Sequence, residues 1–170
     1  MLKKEFGFTL IELMVTVVVA MILVAVGAPA LNSLYEGSRS DSGIRKIQQS
    51  LMFARSQAVS YGSRVTVCPM VGNACSGHWI DGFTIFIDNG AVNVIDGADQ
   101  VIRVIDSFNS SDFVTVSANA VSFTPDGLVP TNAAITFTYC PGSVSNDQST
   151  GAEVSVSGRI RFISPPTSCS

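Results

Sequence analysis

From Leu13 to Leu31 the chain reads LMVTVVVAMILVAVGAPAL, nineteen residues without a charge. A helix needs roughly 20 apolar residues to cross a bilayer, so this run nearly meets the requirement by itself. Lys3 and Lys4 stand before it, the positive flank expected on the cytoplasmic side. No comparable run follows Leu31. The chain is therefore expected to enter a membrane once, near its N-terminus, with the rest exported. At 170 residues it has room for one domain of ordinary size. Charged residues make up only 14%, against about 25% in typical soluble domains. Ser, Thr, Asn and Gly replace them, unlike the highly charged composition of many disordered chains. A pI near 4.9 argues against a surface coated in basic residues for wholesale nucleic-acid binding. His78 is the only histidine, which excludes any mechanism or zinc site needing two.

Three readings of the N-terminus compete. Ala28-Pro29-Ala30 has the form of a signal-peptidase site, and a plain signal anchor is the second reading. The third starts from Glu12, because a carboxylate in an apolar stretch costs a few kcal/mol on insertion scales. Neither of the first two gives Glu12 a purpose. A segment that leaves the lipid and packs against neighbouring subunits does, since a buried charge can be kept for register and partner choice. The stretch GFTLIELMVTVVVAMIL resembles the class III signal of type IV pilins and of the pseudopilins of type II secretion. That resemblance implies a prepilin peptidase that cuts after Gly7 and methylates Phe8. It also implies that Glu12 meets the N-terminal amine of a neighbouring subunit and that Pro29 is a helix-bending proline. The chain would then consist of a leader peptide, 1–7, a hydrophobic transmembrane and assembly helix, 8–31, and an exported region, 32–170. The location implied is the bacterial inner membrane, single-pass with a periplasmic C-terminal domain, followed by a pilus or pseudopilus made with other pilins or pseudopilins. No cofactor is implied.

The helix should continue past the membrane. Ile44, Ile47, Leu51, Ala54 and Ala58 are spaced three or four apart, one face of an amphipathic helix, with Arg45, Lys46, Gln48, Gln49 and Arg55 on the other sides. The join from Gly37 to Gly43 is poor helix material, since glycine costs about 1 kcal/mol and Ser and Asp compete for backbone bonds. Phe8 to Ser60 as one helix would measure about 80 Å, and Gly62 supplies a stop. After Gly62 the period becomes two: Val65 and Val67; Phe83, Ile85 and Ile87; Val114 and Val116; Ile135, Phe137 and Tyr139; Val154 and Val156. Turn residues separate these runs at Asp88-Asn89-Gly90, Asp96-Gly97, Pro125-Asp126-Gly127 and Ser157-Gly158. The expected fold class is α+β, a long N-terminal helix whose Ile44–Ala58 face covers one side of an antiparallel sheet.

Four cysteines, Cys68, Cys75, Cys140 and Cys169, all lie in the exported region, an even count that reads as two disulfides. Three connectivities are possible, and proximity favours Cys68–Cys75 with Cys140–Cys169. Closing a loop of roughly fifteen residues is worth about 3 kcal/mol in the chain-entropy model. The stretch LMFARSQAVSYGSRVTVCP at 51–69, with Cys75, Trp79, Gly82–Asp88, Val101–Val104 and a C-terminal Gly-Arg-x-Arg, is similar to the GspH/FimT group. This group holds the H pseudopilin of type II secretion and the FimT- and FimU-like minor pilins of type IV pili. The ARSQA and VTVCP pair resembles the minor pilins more than the secretion pseudopilin.

The acidic series Asp88, Asn89, Asn93, Asp96 and Asp99 invites a calcium reading, but Val92, Val94 and Ile95 interrupt it and no terminal Glu follows. A hairpin with Asx-type turns is the preferred reading, and no metal site is expected. No G-x-S-x-G, H-E-x-x-H or P-loop occurs, so no catalytic residue is expected.

The run from Val154 to Phe162 reads as a hairpin. A three-residue turn from Ser157 to Arg159 would pair Val156 with Ile160 and Val154 with Phe162, burying one apolar face. Arg159 would sit in the turn and Arg161 beside Ser155 on the exposed face, where two arginines can grip phosphates. In FimT-like pilins this element resembles a double-stranded DNA-binding tip. Against it, the side chains after Gly7 hold 10 − 2 = 8 basic and 13 − 1 = 12 acidic groups, a sum of −4. Few phosphate contacts on an acidic body give weak capture. An ion pair to Glu153 or to a neighbouring pilin competes for the same arginines.

Overall fold

The computed structural model describes residues 9–163 and 168–169. Gly7 and Phe8, where processing is expected, lie outside the described residues, as do Pro165 and Pro166. One helix, α1 (Leu10–Tyr61), opens the fold and runs through position 29. The chain divides into two compact units after Tyr35.

In the first unit every large apolar side chain from Leu10 to Leu34 is exposed, Leu23 by 68%. Apolar residues occupy all sides of this half, the pattern of a helix that crosses lipid or is covered by partners. By length and composition it can cross a membrane.

In the second unit α1 is amphipathic, and Ile44, Ile47, Leu51, Ala54 and Ala58 are buried. The strands that follow are β1 (Val65–Cys68), β2 (Met70–Val71), β3 (Ala74–Cys75), β4 (Gly82–Ile87), β5 (Gln100–Asp106), β6 (Phe113–Val116), β7 (Val121–Phe123), β8 (Ile135–Cys140), β9 (Thr150–Val154) and β10 (Ile160–Ile163). They form two four-stranded antiparallel sheets, β5-β4-β1-β7 and β10-β9-β8-β6, plus the small β2-β3 ribbon. Where one sheet was expected, two share the helix. A single core joins the α1 face to Val65, Val67, Phe83, Ile85, Val121 and Phe123 of the first sheet and to Ile135, Phe137, Tyr139, Ala152 and Val154 of the second. Alternation says which residues share a face; it does not say which strands pair, and β6, β7 and β8 change sheet in succession.

The weak join is helical because tertiary contacts need its small residues. The Tyr139 ring lies where a Cβ on Gly43 would stand. Ser40 is buried and lies 2.8 Å, hydroxyl to hydroxyl, from Thr150. The outer face of β1 and β4 is also buried, with no exposed residue in either strand. Thr66 on that face donates to Asp88 Oδ2 at 2.7 Å. Trp79 sits in a 3₁₀ turn (Trp79–Asp81) with its ring edge-on to Phe137 and its Nε1 donating to Ala118 O.

Candidate functional site

At the start of α1 the Thr9 hydroxyl accepts from the Glu12 amide at 3.3 Å, and Glu12 Oε2 accepts from the Thr9 amide at 3.2 Å. This is a reciprocal capping box, Thr-x-x-Glu, which satisfies amides that the first turn leaves unpaired. Glu12 therefore has a local purpose beyond its charge, one that the spacing of Thr9 and Glu12 displays. Its carboxylate stands beside the helix start on an exposed surface, close in sequence to the amine that cleavage after Gly7 would create.

The second candidate is the β9–β10 hairpin, where the structure corrects the expected register. Val154 pairs with Ile160 and Ala152 with Phe162, a shift of two residues. The loop has the expected length but runs from Val156 to Gly158. Gly158 donates to Ser155 O at 2.8 Å and Ser155 donates to Arg159 O at 2.9 Å, a tight turn closed by a bulge. The bulge residue must be left-handed, and Gly158 has φ 72°. The expected register would have put Arg159 at that position, where a side chain is strained. A Cβ on residue 158 would also strike the Gly127 carbonyl. The shift is even, so the faces keep their sides: Ile160 and Phe162 face the core side while Arg159 and Arg161 face outward.

The two arginines differ. Arg161 bonds Glu153 Oε1 through Nε at 3.2 Å and Nη2 at 3.0 Å, an exposed pair directly across the ladder. Exposed pairs of this kind add roughly 0.2–1 kcal/mol. Arg159 is exposed and its side chain has no hydrogen-bond or ion-pair partner among the described residues. On the helix, Arg55 donates from Nε to Gly127 O at 3.0 Å and from Nη2 to Ser157 O at 3.2 Å. It thereby fastens α1 to two glycine-bearing turns, a role that no local pattern announces.

Elsewhere polar groups serve the fold. Asp112 is buried, bonds Arg39 Nη2 at 2.7 Å and accepts from the Tyr139 hydroxyl at 2.6 Å. Burial, and next the Asp112 bond, push the Tyr139 hydroxyl well above its usual range. The acidic series is spent on backbone amides. Asp99 Oδ1 accepts from Asn89 N, and Asp96 accepts from Ala91 N and Ala98 N. Those amide bonds hold the exposed Asp96 carboxyl below its usual range. Cys68 is joined to Cys75 and Cys140 to Cys169. The first bridge anchors the β2-β3 ribbon, while the second brings Cys169 to β8, where its carbonyl accepts from Thr115. His78 is exposed at the start of the 3₁₀ turn.

The model of a prokaryotic N-terminal methylation motif matches residues 2–28. The family model described as type II transport protein GspH matches residues 43–159, most of the chain. The chain belongs to the GspH family. Two crystal forms of the type IV minor pilin FimU of Pseudomonas aeruginosa share the fold of this GspH-family chain. The first has TM-score 0.64 and 22% identity over 81% of this chain and 99% of FimU. The second has TM-score 0.61 and 21% identity over 76% and 99%. The minor pseudopilin EpsH of the Vibrio cholerae type 2 secretion system has TM-score 0.54 and 11% identity over 74% and 97%. No curated protein matches by sequence. The GspH-family chain is thus of the pilin and pseudopilin kind, structural rather than enzymatic, with an apolar N-terminal helix suited to membrane anchoring.

Proposed function

We propose that this chain is a minor pilin of a type IV pilus, held in the inner membrane with residues 32–170 in the periplasm and then drawn into the filament. Prepilin peptidase cuts after Gly7 and methylates Phe8; Glu12 then meets the amine of a neighbouring subunit, and Pro29 bends the helix. The observation that carries the reading is the first half of α1, apolar on all sides, exposed along its length and headed by a lone carboxylate. Such a surface needs either lipid or other helices around it. The stronger likeness to the minor-pilin fold than to the pseudopilin fold supports the pilus over the secretion machine, while the family description leaves the secretion role as the alternative. Duplex DNA is the weaker ligand, because Arg161 is already paired with Glu153 and only Arg159 stands unengaged.

The capping box supplies the test. Glu12→Gln keeps an acceptor for the Thr9 amide but removes the charge, whereas Glu12→Leu removes both. Both variants should insert and be processed to an N-methylated Phe8, seen by intact mass, and both should fail to enter filaments. Normal incorporation of Glu12→Gln would show that capping, not charge, is what the segment needs. A mature start near Leu31 would replace the pilin reading with an ordinary signal peptide. Deleting the gene should reduce surface piliation and spare type II secretion.

A further inference from the structure

Between the last turns of α1 and β10 lies an open groove of about 560 Å³, lined by Met52, Ser56, Val59, Gly158, Arg159 and Ile160 among others. Its size falls within the roughly 300–1,000 Å³ of ligand clefts. Met52 and Val59 give it an exposed apolar floor. Its β10 wall is the outermost strand of the second sheet. Ser155 donates to Arg159 O, and hydrogen-bonded pairs alternate along an antiparallel ladder. Arg161 therefore bonds inward to Glu153, while the N–H and C=O groups of Ile160 and Phe162 point to the open edge. Neither residue has a backbone partner there among the described residues.

The charges around the groove are unequal. Arg45 is neutralised by Asp41 and Arg161 by Glu153. Arg55 donates to the carbonyls of Gly127 and Ser157, and Arg159 has no carboxylate partner among the described residues. Among the described residues, two positive charges at the lip thus lack counter-charges, above an apolar floor and beside an unpaired strand edge.

We infer that β10 is a strand-addition site for an extended, acidic segment of a different pilin-like subunit, with main-chain bonds to Ile160 and Phe162 and a carboxylate at Arg159. Only the class of partner rests on the pilin reading. A second copy is the wrong occupant, because β10 paired with itself would bring the arginines of both strands onto one face, like charge near like. Duplex DNA could meet Arg159 but has no groups to fill the apolar floor or extend the ladder.

The test uses the full chain in detergent micelles and a capped octapeptide alternating valine and glutamate. Binding should slow hydrogen exchange at the Ile160 and Phe162 amides. The same peptide with lysine for glutamate, or with its alternate amides methylated, should bind at least about tenfold more weakly. Arg159→Glu, an exposed change that leaves the core alone, should remove the preference for glutamate. The inference is overturned if the acidic peptide does not bind, if both peptides bind equally, if the protected amides lie elsewhere, or if a short DNA duplex displaces the peptide. None of these failures would touch filament entry through Glu12, so the pilin reading stands or falls separately.

Discussion

Between Leu10 and Tyr35 the large apolar side chains of α1 are exposed, whereas between Glu36 and Tyr61 Ile44, Ile47, Leu51, Ala54 and Ala58 are at most 1% exposed. The backbone is one helix throughout. The second half carries an apolar stripe and finds its cover within the chain. The first is apolar all round, a pattern that no single sheet face could satisfy, and its cover must come from outside. Stability of the second half is therefore a property of the fold, while that of the first depends on lipid or neighbouring subunits.

The largest expected effect lies in the buried half of α1. Leu51→Ala should cost about 2–5 kcal/mol of unfolding free energy, as buried leucines do. Leu23→Ala should stay within about 0.5 kcal/mol in the same detergent, as exposed substitutions do. Denaturant melts followed by Trp79 fluorescence would read both, and a comparable loss for Leu23→Ala would mean the first half has cover within the chain. Next comes Asp112→Ala, which removes the buried carboxylate shared by Arg39, the Tyr139 hydroxyl and the Gly142 amide. Removing one partner of a buried pair costs about 3–5 kcal/mol, and the lower end is expected here because Arg39 remains partly exposed. An unchanged melt would mean that charge plays no part in docking the second half.

A smaller and sharper contrast uses one substitution twice. Gly43→Ala should cost about 1–3 kcal/mol by overpacking against Tyr139. Gly27→Ala, whose new Cβ meets nothing within 4 Å beyond its neighbours and the helix's own backbone, should gain up to about 1 kcal/mol from helix propensity. Circular dichroism melts would show opposite signs, and the same sign at both sites would contradict the contrast. The smallest effect lies away from α1. Asp96 has its pKa lowered by amide bonds, so its contribution is present above the ordinary carboxylate value. It is lost as pH falls through that value and then through the lower folded one. Amide shifts of Ala91 and Ala98 should follow this titration in the native protein and lose it in Asp96→Asn, with the α1 core unmoved.

Much of this was legible in the chain. The 13–31 run, the Ile44–Ala58 stripe and the alternating strands each depend on neighbours a few residues apart, and the sequence displays those neighbours. The Thr9–Glu12 capping box is equally local, since the Thr-x-x-Glu spacing at the helix start displays it. The length of the β9–β10 loop is legible in the chain but its register is not, since burial of one face tolerates a two-residue shift. The demand for a left-handed bulge residue selects Gly158 instead.

By itself, then, the sequence determined what short-range physics decides: a membrane-length helix, its amphipathic continuation, the strand faces, most of the turns and an even set of four cysteines. The tertiary structure decided what depends on groups far apart in the chain. It divided the strands between two sheets, and set the Tyr139 ring against Gly43, which explains a glycine in a helix that propensity alone would discourage. It sent Arg55 to the carbonyls of Gly127 and Ser157, and Arg161 to Glu153, leaving Arg159 unengaged. Such choices follow from the geometry of long-range packing, where one residue's partner is fixed by the placement of every strand between them, and no local pattern carries that information.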